Sequence, residues 1–264
     1  MTEARRPRIL VSNDDGYFSQ GLQALVDAVT PLGEVWVVAP DREQSAASHA
    51  ISLHRPLRIQ QIRERWFAVD GTPTDSAYLA INHLLKDDRP KLMVSGINHG
   101  ANLADDVTYS GTVAAAMEGA LLGVPAIAFS LVSRAPFDFG PAARFARSLV
   151  EAALAQPQLP PRMLLNVNIP GGVEPDGYVV TRLGRHSYGY DVVEKTDPRG
   201  RKYYWIGGTE YEHEDIPGSD CNAVHLEKRV SVTPLHLDLT AHERIPGLTG
   251  WTLEGFRRFQ SGGE

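Results

Sequence analysis

The sequence predicts an α/β protein, a doubly wound and mostly parallel sheet followed by a β-rich C-terminal appendage and a short terminal helix. Three observations carry this reading. Apolar runs of strand length alternate with helical patterns over the first two-thirds of the chain. The first run, Ile9 to Val11, stops at Asn13-Asp14-Asp15-Gly16 directly before a helical pattern, as a buried parallel strand does at its ligand-facing C-terminal end. Beyond Pro170 the helical periodicity ceases, and short β-type runs are separated by Gly, Pro and Asp. Residues 1–170 are accordingly read as the Rossmann-like core, which carries the site described below. Residues 171–264 are read as an oligomerisation appendage with the terminal helix, within the same structural unit.

Taken in order, Gly21 to Val29 has helical spacing and is stopped by Pro31 and Gly33, and Val35 to Ala39 follows as a second buried strand. Pro40 to Ser48 lacks apolar periodicity and leaves that strand at the edge carrying Asp14, so it is expected to be a loop over the crevice. Ser52 to Val69 suggests a hairpin. Thr72-Pro-Thr-Asp75 has the form of a helix start, with Thr72 as N-cap, Pro73 in the first turn and Asp75 completing a capping box. Lys91 to Ile97, Pro125 to Val132 and Met163 to Ile169 read as further strands, and the alanine-rich run after Ser110 and Ala142 to Leu154 as helices. In the appendage, strands are expected at Tyr178 to Arg182, Tyr188 to Val193, Lys202 to Ile206 and Lys228 to Pro234, with no helix between them. Leu248 to Phe259 reads as the terminal helix, burying Trp251, Leu253 and Phe256.

Composition narrows the function. The 264 residues are 42% hydrophobic and 22% charged, ordinary usage for a globular chain with a real core. A formal net charge of −6 argues against nucleic acid as the main partner, although Arg and Lys alternate with Tyr and Trp between Arg182 and Trp205. That aromatic segment reads better as cover for a subunit interface, which makes a homo-oligomer the expected state. Cys221 is the only cysteine, so neither an intrachain disulfide nor a multi-cysteine zinc site is available. The apolar runs fall short of a membrane span and Met1 to Arg8 is polar, so a cytoplasmic location is expected.

The chemistry gathers at the strand ends. Asp14 and Asp15 are adjacent carboxylates that either share a proton, hold a cation, or form a turn and cap. Gly96 and Gly100 permit backbone conformations that turn Asn98 and Asn102 toward a ligand. Ser110-Gly111-Thr112 opens a helix whose free N–H groups suit a phosphate, and a plain serine cap has the same pattern. Asp14, Asp15, Ser45 and Asn98 would form an all-oxygen donor set for one hard divalent cation, magnesium or manganese, and hydrolysis of a phosphate monoester is the reaction such a site favours. Asp14, Asp15, Asn102 and Ser110 are the expected catalytic residues, and Ser110, Gly111 and Thr112 the phosphate site. His99 is a candidate proton carrier that could equally point away. Two other classes compete: a non-catalytic phosphate or nucleotide binder, which has no need of paired acids, and a structural protein assembled through its aromatic hairpin.

Five ordered motifs carry a resemblance. Ser12-Asn-Asp-Asp-Gly16, Ala39-Pro-Asp-Arg-Glu-Gln-Ser45, Val69-Asp-Gly-Thr-Pro-Thr-Asp75, Ser95-Gly-Ile-Asn98 with Asn102, and Tyr109-Ser-Gly-Thr-Val-Ala-Ala-Ala-Met-Glu-Gly119 resemble the SurE family, as do Ser231-Val-Thr-Pro-Leu235 and Asp238-Leu-Thr240. The resemblance implies a Rossmann-like core and a metal-dependent phosphatase acting on nucleoside 5′- and 3′-monophosphates, in some members also on short polyphosphate. It further implies metal ligands at Asp14, Asp15, Ser45 and Asn98, and dimers or tetramers that exchange C-terminal segments. The chain departs from the family pattern at Gln20-Gly21-Leu22, where Pro-Gly-Ile is usual, and at Ala46, where glycine is common and where alanine is expected to stiffen the loop presenting Ser45.

Overall fold

The computed structural model describes residues 6–188, 192–206, 211–255 and 257. The first strand, β1 (Arg8–Ser12), alternates its apolar side chains between two cores: Ile9 and Val11 face one side of the sheet and Leu10 the other. Helix α1 (Gln20–Val29) starts at Ser19, whose hydroxyl accepts from the Leu22 N–H. It returns the chain to β2 (Glu34–Pro40), which pairs parallel with β1. Strands β3 (Ile59–Arg63) and β4 (Trp66–Val69) form the expected hairpin, although pairing begins only at Ile59, beyond Pro56.

Helix α2 (Pro73–Leu79) carries the expected capping box: Thr72 Oγ1 accepts from the Asp75 N–H at 3.0 Å, and Asp75 Oδ2 from the Thr72 N–H at 2.9 Å. Asp75 also accepts from the Ser52 N–H and hydroxyl, at 2.8 and 2.7 Å, which ties the preceding loop to this helix start. Next come β5 (Leu92–His99), α3 (Gly111–Leu121), β6 (Ala126–Val132), α4 (Gly140–Leu154) and β7 (Leu164–Pro170). Helices α1 and α4 bury Leu22, Leu25, Val29, Ala146 and Val150 on one face of the sheet, and α2 and α3 bury Ala77, Val113 and Ala116 on the other.

After β7 the chain runs through β8 (Tyr178–Val180), β9 (His186–Tyr188), β10 (Val192–Thr196), β11 (Lys202–Ile206) and β12 (Tyr211–His213). It then forms α5 (Asp220–His225), β13 (Val230–Pro234) and α6 (Ile245–Thr249). The central sheet has nine strands in the order β3-β4-β2-β1-β5-β6-β7-β13-β8. Its core, from β4 to β7, is parallel; β3 and β13 pair antiparallel with β4 and β7. From β1 the chain first builds toward β2 and later toward β5, so the order reverses between β1 and β5. That reversal opens a crevice at the strand ends.

Three expectations change. Strands β8 and β13, read as appendage, extend the central sheet, while β10–β11 and β9–β12 stand apart as two-stranded sheets. Helix α5 lies where no helix was expected, because six residues are too few to show a periodicity. The terminal helix covers Ile245–Thr249 rather than Leu248 to Phe259: Pro246 favours an earlier start and Gly250 ends it, and Trp251 and Leu253 are exposed. Phe256, Tyr190 and the middle of the expected Tyr188 to Val193 strand lie outside the described residues. Among the described residues no helix is long and apolar enough to cross a membrane.

Candidate active site at the strand-order reversal

Asp14 follows β1 at the reversal point and is 4% exposed. The start of α3 lies against it. Thr112 Oγ1 donates to Asp14 Oδ1, and a Cβ added at Gly111 would lie 2.7 Å from Asp14 Cβ and 2.9 Å from Oδ2, so only glycine allows this approach. Ser110 is the N-cap, its hydroxyl accepting from the Val113 N–H at 3.1 Å, so the capping role read in the sequence is realised. Burial pushes the Asp14 carboxyl up to about 6; the neighbouring Asp15 charge adds to this, and the Thr112 hydrogen bond opposes it.

His99, at the end of β5, turns toward the site. Its Nδ1 lies 2.8 Å from Asp15 Oδ2, and its ring packs edge-on against Phe137 and Phe139 at centroid distances of 4.9 and 5.0 Å. The hydrogen bond to Asp15 holds the imidazole above its ordinary pKa, against partial burial. On the same strand the Asn98 amide nitrogen donates to the Gly100 carbonyl at 3.0 Å, which leaves Oδ1 as the group this side chain can offer a cation. The register with β6 shifts between Ser95 and Asn98, a bulge that re-aims the strand end.

The Pro40 to Ser48 loop is pinned at two points. The Gln44 N–H donates to the Asp14 carbonyl at 2.7 Å, and Ser48 donates through its N–H and hydroxyl to the Tyr109 and Thr108 carbonyls. Ser45 is exposed between them, its hydroxyl donating to Glu43 Oε1 at 2.9 Å. Ala46 has φ 57, a left-handed conformation that favours glycine, so the departure noted in the sequence introduces local strain beside Ser45.

Asn102 is braced by residues that the sequence reading passed over. Its N–H donates to Asn168 Oδ1, its carbonyl accepts from the amides of Asn166 and Asn168, and its own amide donates to Ser130 Oγ, all between 2.8 and 3.0 Å and buried. The available signal was Leu-Leu-Asn-Val-Asn-Ile: two asparagines two residues apart in an apolar strand point to one face and need partners there. Asn13, named in the turn but given no role, donates its amide to the Gly16 carbonyl and to Ser19 Oγ, shaping the acidic turn. Among the described residues no group of three or more His, Cys, Asp or Glu side chains could hold a metal.

A family model described as "Survival protein SurE" matches residues 9–190. The chain belongs to the SurE family. Among curated SurE relatives, the "5'-nucleotidase SurE" of Myxococcus xanthus (strain DK1622) is 81% identical over 256 residues, covering 97% of each chain. The "5'-nucleotidase SurE" of Anaeromyxobacter dehalogenans (strain 2CP-C) is 61% identical over 252 residues, 95% of this chain and 98% of its own. A crystal structure of the SurE protein from Aquifex aeolicus superposes with a TM-score of 0.80 at 41% identity, over 92% of this chain and 98% of that one. The stretch matched by the SurE model runs from β1 past β9 and contains every site residue named above.

Proposed function

We propose that this chain is a divalent-cation-dependent phosphomonoesterase that hydrolyses nucleoside 5′-monophosphates, and also 3′-monophosphates and short polyphosphate, releasing inorganic phosphate. The observation that carries the reading is Asp14: a buried carboxylate pushed up to about 6, beside a second carboxylate and against the start of a helix. A phosphate binder without a cation would be repelled by these two acids, whereas an enzyme that carries one uses them. The names of the relatives, 5′-nucleotidases, support the substrate class.

The donor set fits a hard cation, since the carboxylates of Asp14 and Asp15, the Ser45 hydroxyl and the Asn98 carbonyl are all oxygen. We assign one magnesium or manganese ion per subunit to these four. When bound, such a cation supplies Lewis-acid chemistry at the phosphoryl oxygens. The N–H of Gly111, at the positive end of α3, takes the phosphate, while Thr112 stays engaged with Asp14. Ser110 fixes that helix start through its cap. Asn102, held in place by Asn166, Asn168 and Ser130, is assigned to orient the phosphate. His99, tied to Asp15, is assigned proton transfer to the departing ribose oxygen. The test is a panel of phosphate esters with and without chelator. We expect hydrolysis of several nucleoside monophosphates and of p-nitrophenyl phosphate, loss with chelator, and recovery with manganese or magnesium. Activity indifferent to chelator, or a phosphodiester as the preferred substrate, would overturn the reading.

We further propose a homodimer or homotetramer that exchanges C-terminal segments. The β10–β11 hairpin exposes Val192, Tyr204, Trp205 and Ile206, the last two at 63% and 91%, and an isolated two-stranded hairpin with such a surface is marginal in water. Sedimentation at micromolar concentration is expected to show no stable monomer, with Trp205 shielded from quencher. A monomer with an accessible Trp205 would exclude the assembly.

A further inference from the structure

Beside the proposed centre lies a second cavity of about 630 Å³, the scale of a small-molecule site, lined by Leu103, Asp106, Arg134, His186, His213 and His225 among others. It lies at the same edge of the sheet: Val132, which lines it, follows Leu131, the β6 partner of His99. Ala101 and Leu103, which line it, flank Asn102 in sequence, and Asp106 lies four residues before the Ser110 cap. Its far wall brings together β9, β12 and α5, elements the proposed chemistry does not use. There the His213 and His225 rings stack, with centroids 5.1 Å apart and planes inclined by 28°. Asp106 Oδ2 lies 3.2 Å from His186 Nδ1. Stacked rings do not converge their nitrogens on one point, and among the described residues no such group fits a metal.

Resting on the phosphomonoesterase reading, we propose that this cavity receives the nucleoside part of the substrate, the base lying on the His213–His225 rings and the ribose facing the Asp106–His186 pair. Burial, with His213 and Lys228 nearby, lowers the pKa of His225 and so keeps it a neutral, flat ring. Stacking of this kind tolerates every base, because each has a π-face, and it gives affinity with little base discrimination. The Asp106 carboxylate, the more exposed member of the pair, can accept from ribose hydroxyls.

The test compares adenosine and uridine 5′-monophosphates with p-nitrophenyl phosphate on the full chain with its cation. In His225→Ala the ratio of kcat/KM for either nucleotide to that for p-nitrophenyl phosphate is expected to fall roughly tenfold, chiefly through KM. His225→Phe keeps a flat face and is expected to hold the ratio within about threefold. His213→Ala asks the same question from β12 should the helix variant fail to fold. Folded alanine variants that keep the wild-type ratio, or a phenylalanine variant that loses as much as alanine, would overturn the pocket. An unsubstituted protein that hydrolyses p-nitrophenyl phosphate but not the nucleotides overturns the nucleoside assignment alone. One that hydrolyses neither overturns the phosphomonoesterase reading itself and the pocket with it.

Discussion

Asp14→Asn is expected to abolish most turnover while making the cation-free protein more stable. In the folded chain the Asp14 carboxyl sits near 6, against an ordinary value of 3.8, chiefly because it is buried. A folded pKa above the unfolded one means that the folded state holds the proton more tightly. The corresponding stability is fully present below pH 3.8 and is lost as pH rises through about 6. Ionised Asp14 therefore costs the cation-free fold up to about 3 kcal/mol at neutral pH, from a shift of roughly two units at 1.36 kcal/mol each. Asparagine never ionises and keeps an oxygen to accept the Thr112 hydroxyl. In chelator, the variant should melt higher than the parent at pH 7.5, and the difference should vanish near pH 4. Turnover should nevertheless drop by about three orders of magnitude or more, because several kcal/mol of transition-state charge stabilisation depends on the cation this carboxylate is assigned to hold. A variant that melts lower yet works normally would mean that Asp14 is only part of a turn.

Asp220→Ala is expected to produce the largest loss of stability. This carboxylate is fully buried: Oδ1 accepts the N–H groups of Gly184 and Cys221 at 2.7 and 2.9 Å, and Oδ2 accepts that of Ala104 at 2.9 Å. It joins the approach to β9, the start of α5 and the segment leading from Asn102 to α3. Alanine would leave three buried donors without an acceptor, at about 1–3 kcal/mol each, so a loss of roughly 4 kcal/mol or more is expected from denaturant midpoints. Asp220→Asn retains one acceptor oxygen and should lose less. Cys221 supplies a second readout. Its thiol is buried and pushed up to about 12, so it should resist thiol reagents at pH 8 in the parent and become reactive in the alanine variant. A loss under about 1 kcal/mol with an unreactive thiol would show that the network is dispensable.

The contrast between these two aspartates shows what the sequence made legible. Asp14 lies in a local pattern: an apolar run, two acids, a glycine and a helix, each interpretable from its neighbours. The Thr72–Asp75 capping box and the Ser110 cap were legible for the same reason, since their hydrogen bonds close within three residues. Asp220 is one aspartate among many. Its bond to Ala104 crosses 116 positions, the His99–Asp15 bond 84, and the Asn102–Asn168 bonds 66. Nothing near Asp220 or His99 in the chain announces such partners. The terminal helix was misplaced because an apolar spacing that suits a helix was weighted above Gly250; Trp251 and Leu253, expected to be buried, are exposed.

The strand order β7-β13-β8 also sets a sequence of events during synthesis. Strand β8 joins the sheet only through β13, which is made some fifty residues later. While the intervening chain emerges from the ribosome, β8 and the aromatic hairpin behind it have no edge to join, although β1 to β7 can already pair. A nascent chain halted before Val230 would thus carry a finished parallel sheet with β7 as an open edge, and a loose hydrophobic tail beside it. Release of β13 closes that edge and anchors β8 in the same motion, so synthesis of this one strand decides whether β8 is docked or free.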